Sequence, residues 1–415
     1  MAAPPVSLII VSRNRPRWLN RCLIAVGQLD YPMFEVIVVS CPLGSDVARA
    51  STLSADISVI DFDEANISKA RNIGISNARG EIVAFLDDDA VPEPTWLTHL
   101  IAAFEKENVA QAGGMTLGSN GISVQHAAAL VTETGQTIAF PLDSQAPCVV
   151  PVRRGTHPRL HGTNMAIRRS VLLAHQGFDP RFSFYLDETD LTLRVSQAGG
   201  VTMHVPNAVV HHGNGPSAFR GRDRTPRRLF EIGASMAVFH RKHTPKPKRD
   251  AARVAFLKER HNWLLQHMQK GTLGPDDVRR LFSELADGYD FGWELKNDPD
   301  TLQCIEFASK IKIRSHRYHG VSLVARPRTR RSITSKAVEL AQRGKTVTVF
   351  DLDTTSRFHR VTFTNQGIWW HNGGIFGREN RDEPWIQLCT RNERITRTTE
   401  RLAEIRPLSN LLPNN

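Results

Sequence analysis

Three consecutive carboxylates, Asp87, Asp88 and Asp89, close the apolar run Ile82–Leu86 in the stretch EIVAFLDDDAVPEPTW (Glu81–Trp96). Like charges crowded at the end of a strand repel one another unless a cation or several donors offset them. Adjacent carboxylates on a tight turn can present two oxygens to a hard cation such as Mg2+ or Mn2+ and leave positions for phosphate oxygens. An exposed acidic turn would carry the same residues.

A second acidic group lies in FDPRFSFYLDETDLTLR (Phe178–Arg194), where Asp187, Glu188 and Asp190 stand beside Phe182, Phe184 and Tyr185. A carboxylate with apolar neighbours can keep a raised pKa and act as a general base on a sugar hydroxyl. Acids in the first turn of a helix also suit its N-terminal electrostatics. His211 and His212 end the apolar run of VPNAVVHHGNG, either as metal ligands or as polar residues at a strand end. In HGTNMAIRRS, Gly162, Thr163 and Asn164 form a turn into a helix, and glycine there permits close approach of the backbone to a ligand. KARNIGISNARG places Arg71 one helix upstream of the aspartates, where its guanidinium could meet a nucleotide or lie on the helix surface.

These residues need a frame, and the patterning supplies one. Val6–Ser12, Phe34–Ser40 and Ile57–Phe62 read as strands. Leu19, Leu23 and Val26 recur at helical spacing after the first, and Ile67–Ala78 reads as a helix stopped by Gly80. Strands alternating with helices predict an α/β protein with a largely parallel sheet, in which ligands bind beyond the carboxyl ends of the strands. Ser12–Asn14 and Asp87–Asp89 both lie at such ends. Shorter strands and irregular loops are expected over 111–215. HTPKPK (His243–Lys248) reads as a linker, and a helical pattern follows over 250–307, clearest in LKERHNWLLQHM. GVSLVARP, SITSKAVELAQRG and KTVTVFDLD then predict a further strand, helix and strand.

At 415 residues the chain can hold two or three domains. Its 40% hydrophobic and 23% charged residues are those of an ordinary globular protein, and no apolar run reaches the roughly 20 residues needed to span a bilayer. The N-terminal stretch reads as a strand rather than a signal peptide. Five scattered cysteines without metal-knuckle spacing exclude a disulfide framework and favour the cytoplasm. The net charge of +11 concentrates in Arg220–Arg228, Arg241–Arg249 and Arg314–Arg331. Few aromatics lie among these cations, so nucleic acid is not an expected partner; an anionic membrane surface is compatible with them.

In order along the chain, S-R-N, A-R-N-x-G, D-D-D, G-T-N-M, D-E-T-D and H-H resemble the family-two glycosyltransferases of the GT-A fold over about Val6–Ser217. The resemblance implies an inverting transferase that moves a sugar from a nucleotide-diphosphate donor to a glycan or lipid-linked acceptor with Mn2+ or Mg2+. It places Asp87 and Asp89 on the metal and diphosphate and Asp88 near the ribose. Ser12, Arg13 and Asn14, with Arg15 and Arg71, would line the nucleotide pocket. Gly162, Thr163 and Asn164 would line the sugar and acceptor pocket. Glu188 falls where the catalytic base sits, with Asp187 in support or as the base itself, and Asp190 as a helix cap. His212 matches a late histidine near the metal, with His211 as the alternative. The family's aspartate after strand two, which reads the base, is Ser40–Cys41 here. A non-catalytic nucleotide-sugar- or glycan-binding assembly factor on the same scaffold is the alternative.

Gly320–Gly374 weakly resembles the N-terminal half of a GT-B glycosyltransferase, without its glycine-rich phosphate loop. The division expected is 1–245 as the GT-A domain, 246–310 as a helical linker and 311–415 as a Rossmann-like accessory unit. As a dimerisation unit, the last would make a homo-oligomer. The basic segments would let this cytoplasmic chain sit peripherally at the inner face of a membrane.

Overall fold

The computed structural model describes residues 3–142, 146–213, 215, 217–221, 223–296, 302, 311, 319–380 and 383–408. The 314–318 part of the third basic segment and most of the stretch 297–310 lie outside the described residues.

The apolar runs become strands because both faces of their sheet are covered, which suits unbroken rather than alternating hydrophobicity. Val6–Ser12 lies parallel between Phe34–Ser40 and Ile82–Asp87, with Ile57–Asp61 outside Phe34–Ser40. Met165–Arg168 then runs antiparallel between Ile82–Asp87 and Val109–Leu117, and Val201–His212 adds parallel to Val109–Leu117. Together with three short flanking strands this makes a ten-stranded mixed sheet among the described residues. The α/β architecture with a Rossmann-like first half is the one expected.

Successive side chains along a strand face opposite sides, so each strand feeds two cores. Leu8, Ile10, Val36, Val38, Ala84 and Leu86 pack on one side with Leu19, Leu23, Trp96 and Leu100 from the helices Pro16–Val26 and Trp96–Ala102. Ile9, Ile37, Val39, Val83 and Phe85 pack on the other with Ala70 and Ile75 of helix Ile67–Ser76 and Leu191 and Val195 of helix Asp187–Gln197. That second layer matters most for the site. It puts Arg71 and Asp187 on the same side of the sheet, above the carboxyl end of Ile82–Asp87.

Helices Phe230–His243, Arg249–Gln269 and Pro275–Glu294 form a third core with Phe182, Leu186 and Leu193. The first and last of them touch backbone to backbone, so contacts cross position 245 directly. A Cβ on Gly233, Gly288 or Gly292 would meet an opposing carbonyl at 2.0–2.2 Å. No helix among the described residues is long and apolar enough to cross a membrane.

The C-terminal strand–helix–strand unit forms as expected: Gly320–Ala325, helix Arg330–Gln342, and Thr346–Asp353 parallel to the first strand. The chain then folds back as a hairpin, Arg360–Phe363 and Ile368–Gly374, whose second strand lies parallel to Thr346–Asp353. Ile368–Gly374 is therefore reached through a hairpin rather than a second crossover helix. The unit is docked on the first: Trp369, Val361 and Phe363 share a core with Ala25 and Val91. Gln28 Nε2 donates to the Gly367 carbonyl at 2.7 Å, and Trp369 Nε1 donates to Gln28 Oε1 at 3.1 Å.

Candidate active site at the carboxyl end of the sheet

The three aspartates leave Ile82–Asp87 and turn into Ala90–Pro92, which pairs antiparallel with Val210–His212. This brings His212 beside them, with Nε2 at 3.1 Å from Asp89 Oδ1. Asp87, Asp89 and His212 each offer one ligand atom, and all three atoms lie within 4.8 Å of one another. His211 faces elsewhere, with Nε2 at 2.7 Å from Glu93 Oε1, so the histidine of this cluster is His212.

Donors offset the crowded negative charge. Ser12 Oγ donates to Asp88 Oδ2 and Arg15 Nη1 to Asp88 Oδ1, both at 2.7 Å. Arg15 Nη2 donates to Asp89 Oδ2 at 2.7 Å, and the Gly215 N–H donates to the same oxygen at 2.8 Å. A Cβ on Gly215 would meet Arg15 Nη2 at 2.4 Å and the Trp18 ring at 2.8 Å, so a larger residue would have to displace them. Burial pushes Asp88 up to about 7 against the pull of Arg15. Burial acts on Asp89 too, but His212 and Arg15 hold it below the ordinary carboxylate range.

The second acidic group arrives through strain. Tyr185 and Leu186 are consecutive left-handed residues, with φ of 83° and 63°, and helix Asp187–Gln197 starts directly after them. Non-glycine residues in that region persist only where their surroundings hold them, here with Leu186 fully buried. Arg71, buried in helix Ile67–Ser76, ion-pairs through Nη1 with Asp187 and reaches Asp87 Oδ1 through Nη2 at 3.2 Å. Glu188 pairs instead with Arg159 Nη2 at 3.5 Å. Burial pushes Asp187 up to about 8, whereas Arg159 and Arg71 overcome the same burial at Glu188 and hold it below the usual glutamate range. Within this coupled pair, burial favours a proton on Asp187 and the two guanidiniums favour charge on Glu188.

Several expected residues have other tasks. Arg13 pairs with exposed Asp63 at 2.9 Å, and Asn14 is a left-handed turn residue (φ 58°) whose N–H donates to Cys41 Sγ at 3.2 Å. Neither contacts the aspartates. Asn164 directs its side-chain amide into the protein. Its Nδ2 donates to the Met115 and Ala208 carbonyls, and its Oδ1 accepts from Trp96 Nε1 at 2.8 Å. Thr163 Oγ1 is buried without a partner among the described residues, and Gly162 lies so close to Arg71 that a Cβ would meet Nη2 at 2.4 Å. Asp190 does not cap its helix. It bonds Arg194 Nε at 2.9 Å and reaches Lys242 and His243 of another helix at 2.7 Å each, because the cap position is Leu186 and Asp190 already lies within the first turn.

Other residues at the site carried no local sequence signal. Gln125 Nε2 lies 3.1 Å from both His126 Nε2 and His212 Nδ1, and the His126 ring stacks on His161 at 3.9 Å. Burial drives His126 down to about 4 and His161 well down, so the stacked pair is neutral. Arg220, half-buried, lies near enough to Asp89 and Asp87 to feel their charge, and its Nε has no partner among the described residues. Arg159, Gln125 and His126 sit on the short strands Thr156–Arg159 and Val124–His126, where no motif marks them.

The chain is similar to several known proteins. A 239-residue match of 28% identity to the O-antigen biosynthesis protein RfbC of Myxococcus xanthus covers 54% of this chain and 18% of that protein. The glycosyltransferase AglE of Haloferax volcanii is 36% identical over 118 residues, 27% of this chain and 39% of AglE. The chain thus spans well under half the length of either relative. Among solved structures, the mannosyltransferase PcManGT from Pyrobaculum calidifontis, in complex with GDP-Man and Mn2+, aligns with a TM-score of 0.43 at 15% identity, covering 71% of this chain and 88% of that one. The family described as "Glycosyltransferase like family 2" matches residues 4–229, more than half of the chain and every residue of the carboxylate site. The chain belongs to that family.

Proposed function

We propose that this chain is a metal-dependent, inverting glycosyltransferase that moves a sugar from a nucleotide-diphosphate donor to a glycan or lipid-linked acceptor. The observation that carries the proposal is buried Arg71, which joins the Asp87–Asp89–His212 cluster to the Asp187–Glu188 pair. Two carboxylates and one imidazole fit a divalent ion, and the nitrogen donor favours Mn2+ over the all-oxygen preference of Mg2+. When bound, the ion would neutralise charge developing on the leaving diphosphate.

The chain's own groups account for the rest. Glu188 takes the proton of the acceptor hydroxyl as the oxygen attacks the anomeric carbon. The bond to the diphosphate breaks on the opposite face, and its electron pair leaves with the diphosphate. One such displacement inverts the configuration. Asp187 and Arg71 orient Glu188 rather than exchange protons themselves. Arg220 adds cationic charge beside the aspartates, where the diphosphate would lie. Ser12, Arg15 and Asp88 shape the adjoining wall of the nucleotide pocket, and Gly162 and Thr163 its sugar side. Residues 1–245 would carry the transfer, 246–310 would brace it and 311–415 would serve as an accessory unit.

The free thiols Cys22, Cys41 and Cys389 support a cytoplasmic setting. Membrane contact through the basic segments has less support, since Arg241 donates to the Trp293 and Leu295 carbonyls and Arg249 Nε to the Thr244 carbonyl at 3.0 Å.

The test is transfer by purified protein with Mn2+ across a nucleotide-diphosphate-sugar panel, with the product's anomeric configuration read by NMR. Glu188→Gln should lose about 10²–10⁴-fold in rate, the usual worth of a positioned base. Full activity in both Glu188→Gln and Asp89→Ala would overturn the assignment. Nucleotide binding with no turnover across the panel would favour the non-catalytic assembly factor.

A further inference from the structure

The antiparallel pairing of Ala90–Pro92 with Val210–His212 holds the metal-site aspartate and histidine together, and the residue just past it is bonded to Arg406 of the C-terminal unit. Glu93, fully buried just past Ala90–Pro92, accepts from Arg406 Nε at 2.8 Å and Nη2 at 2.5 Å and from His211 at 2.7 Å. The Glu93 N–H donates to the Val209 carbonyl at 3.0 Å, so Glu93 is tied to both segments. Arg406, itself wholly buried, stacks on the Trp369 ring at 3.8 Å and places Nη1 3.0 Å from His371 Nε2. Next to it, Thr95 Oγ1 donates to the Glu404 and Ile405 carbonyls, at 2.9 Å each.

A bidentate guanidinium–carboxylate pair fixes both direction and distance, and burial removes the water that could substitute for it. One end of this pair is four residues from Asp89; the other end of its network is the neighbour of His212. Among the described residues, no hydrogen bond or ion pair links the C-terminal unit to Asp87, Asp89, Asp187 or Glu188 directly. We propose that Arg406 is a positioning residue for the metal site, acting through Glu93 and His211, and that the C-terminal unit is for this reason part of the functional site and not an independent appendage. The proposal rests on the metal reading above for its consequence, but not for its geometry.

The test compares wild type, Arg406→Met, Arg406→Lys and the double variant Glu93→Gln/Arg406→Met. Mn2+ affinity is read by electron paramagnetic resonance, and amide hydrogen exchange is read over 89–93 and 209–213. Outer-shell partners of metal ligands typically set affinity by about 10–100-fold, so Arg406→Met should weaken Mn2+ binding about tenfold and speed exchange in both segments. Arg406→Lys, which keeps the charge without the fork, should fall between and decides the matter if Arg406→Met does not fold. The double variant separates positioning from simple charge compensation. Continued weak binding supports positioning, and restored affinity overturns it. Wild-type Mn2+ affinity and exchange in folded Arg406→Met would also overturn it. If wild type binds no Mn2+, the metal reading fails, and unchanged exchange or faster exchange alone judges the positioning.

Discussion

Asp87 and Asp187, on separate elements of the fold, are bridged by the two ends of one guanidinium: Arg71 Nη2 lies 3.2 Å from Asp87 Oδ1, and Nη1 ion-pairs with Asp187. The bridge sets the distance between the candidate metal cluster and the candidate base. It also lowers the charge seen by Glu188, the residue after Asp187.

Removing the bridge should therefore change both rate and pH dependence. In Arg71→Met, Asp187 loses its buried partner and Glu188 loses one of the two cations that hold it down. A base works when deprotonated, so a rise in the Glu188 pKa moves the acidic limb of the kcat/KM profile to higher pH. The rate should also fall about 10²-fold, the scale of a small misplacement at a reacting centre. A pH–rate profile with an unmoved acidic limb would show that Arg71 does not tune the base.

His212 and His211 should separate cleanly in metal titrations. His212 faces Asp89, and His211 faces Glu93. His212→Ala removes a candidate ligand, so chelation with EDTA followed by Mn2+ titration should require at least about tenfold more metal for half-maximal activity. His211→Gln retains a polar partner for Glu93 and should shift the half-maximal concentration less. Equal shifts in the two variants would contradict the assignment of His212.

How far the site was legible follows from where its residues lie. Asp87–Asp89, Asp187–Glu188 and His211–His212 are runs at strand or helix ends, so local patterning exposes them. The Val6–Ser12, Phe34–Ser40 and Ile82–Leu86 strands were equally plain, since a sheet covered on both faces needs continuous apolar runs. Arg159, Gln125 and His126 join the site from strands too short for any periodicity. A Gly-Thr-Asn turn has the same composition whichever way its amide faces, so the bond from Trp96 to Asn164 could not be read from sequence. The Glu93–Arg406 pair is invisible in sequence, because nothing local distinguishes a glutamate or arginine whose partner arrives from the other end of the chain.

Asp190 should govern acid stability. It is fully buried, and Arg194, His243 and Lys242 together overcome that burial and hold its carboxyl below the ordinary range. A folded pKa below the unfolded value of about 3.9 means stability that is present at neutral pH and lost progressively as pH falls below about 5. Asp190→Asn should cost about 3–5 kcal/mol at pH 7, the scale for breaking a buried ion pair. It should also flatten the fall in stability between neutral and acid pH. Urea unfolding at several pH values checks both; parallel curves for wild type and variant would remove the role.

Gly288 reverses an ordinary expectation. Glycine to alanine inside a helix normally gains about 1 kcal/mol in propensity. Here an added Cβ would meet the Phe230 carbonyl oxygen at 2.0 Å and force helix Pro275–Glu294 away from Phe230–His243. Overpacking of this kind costs about 1–3 kcal/mol, so Gly288→Ala should lower Tm rather than raise it. The displacement has a route to the site, because Phe230–His243 carries Lys242 and His243, which hold Asp190 one turn beyond Asp187 and Glu188. Transfer activity measured well below Tm should therefore fall along with stability. A variant with lower Tm and intact activity would show that the helical layer braces the fold without setting the position of the base.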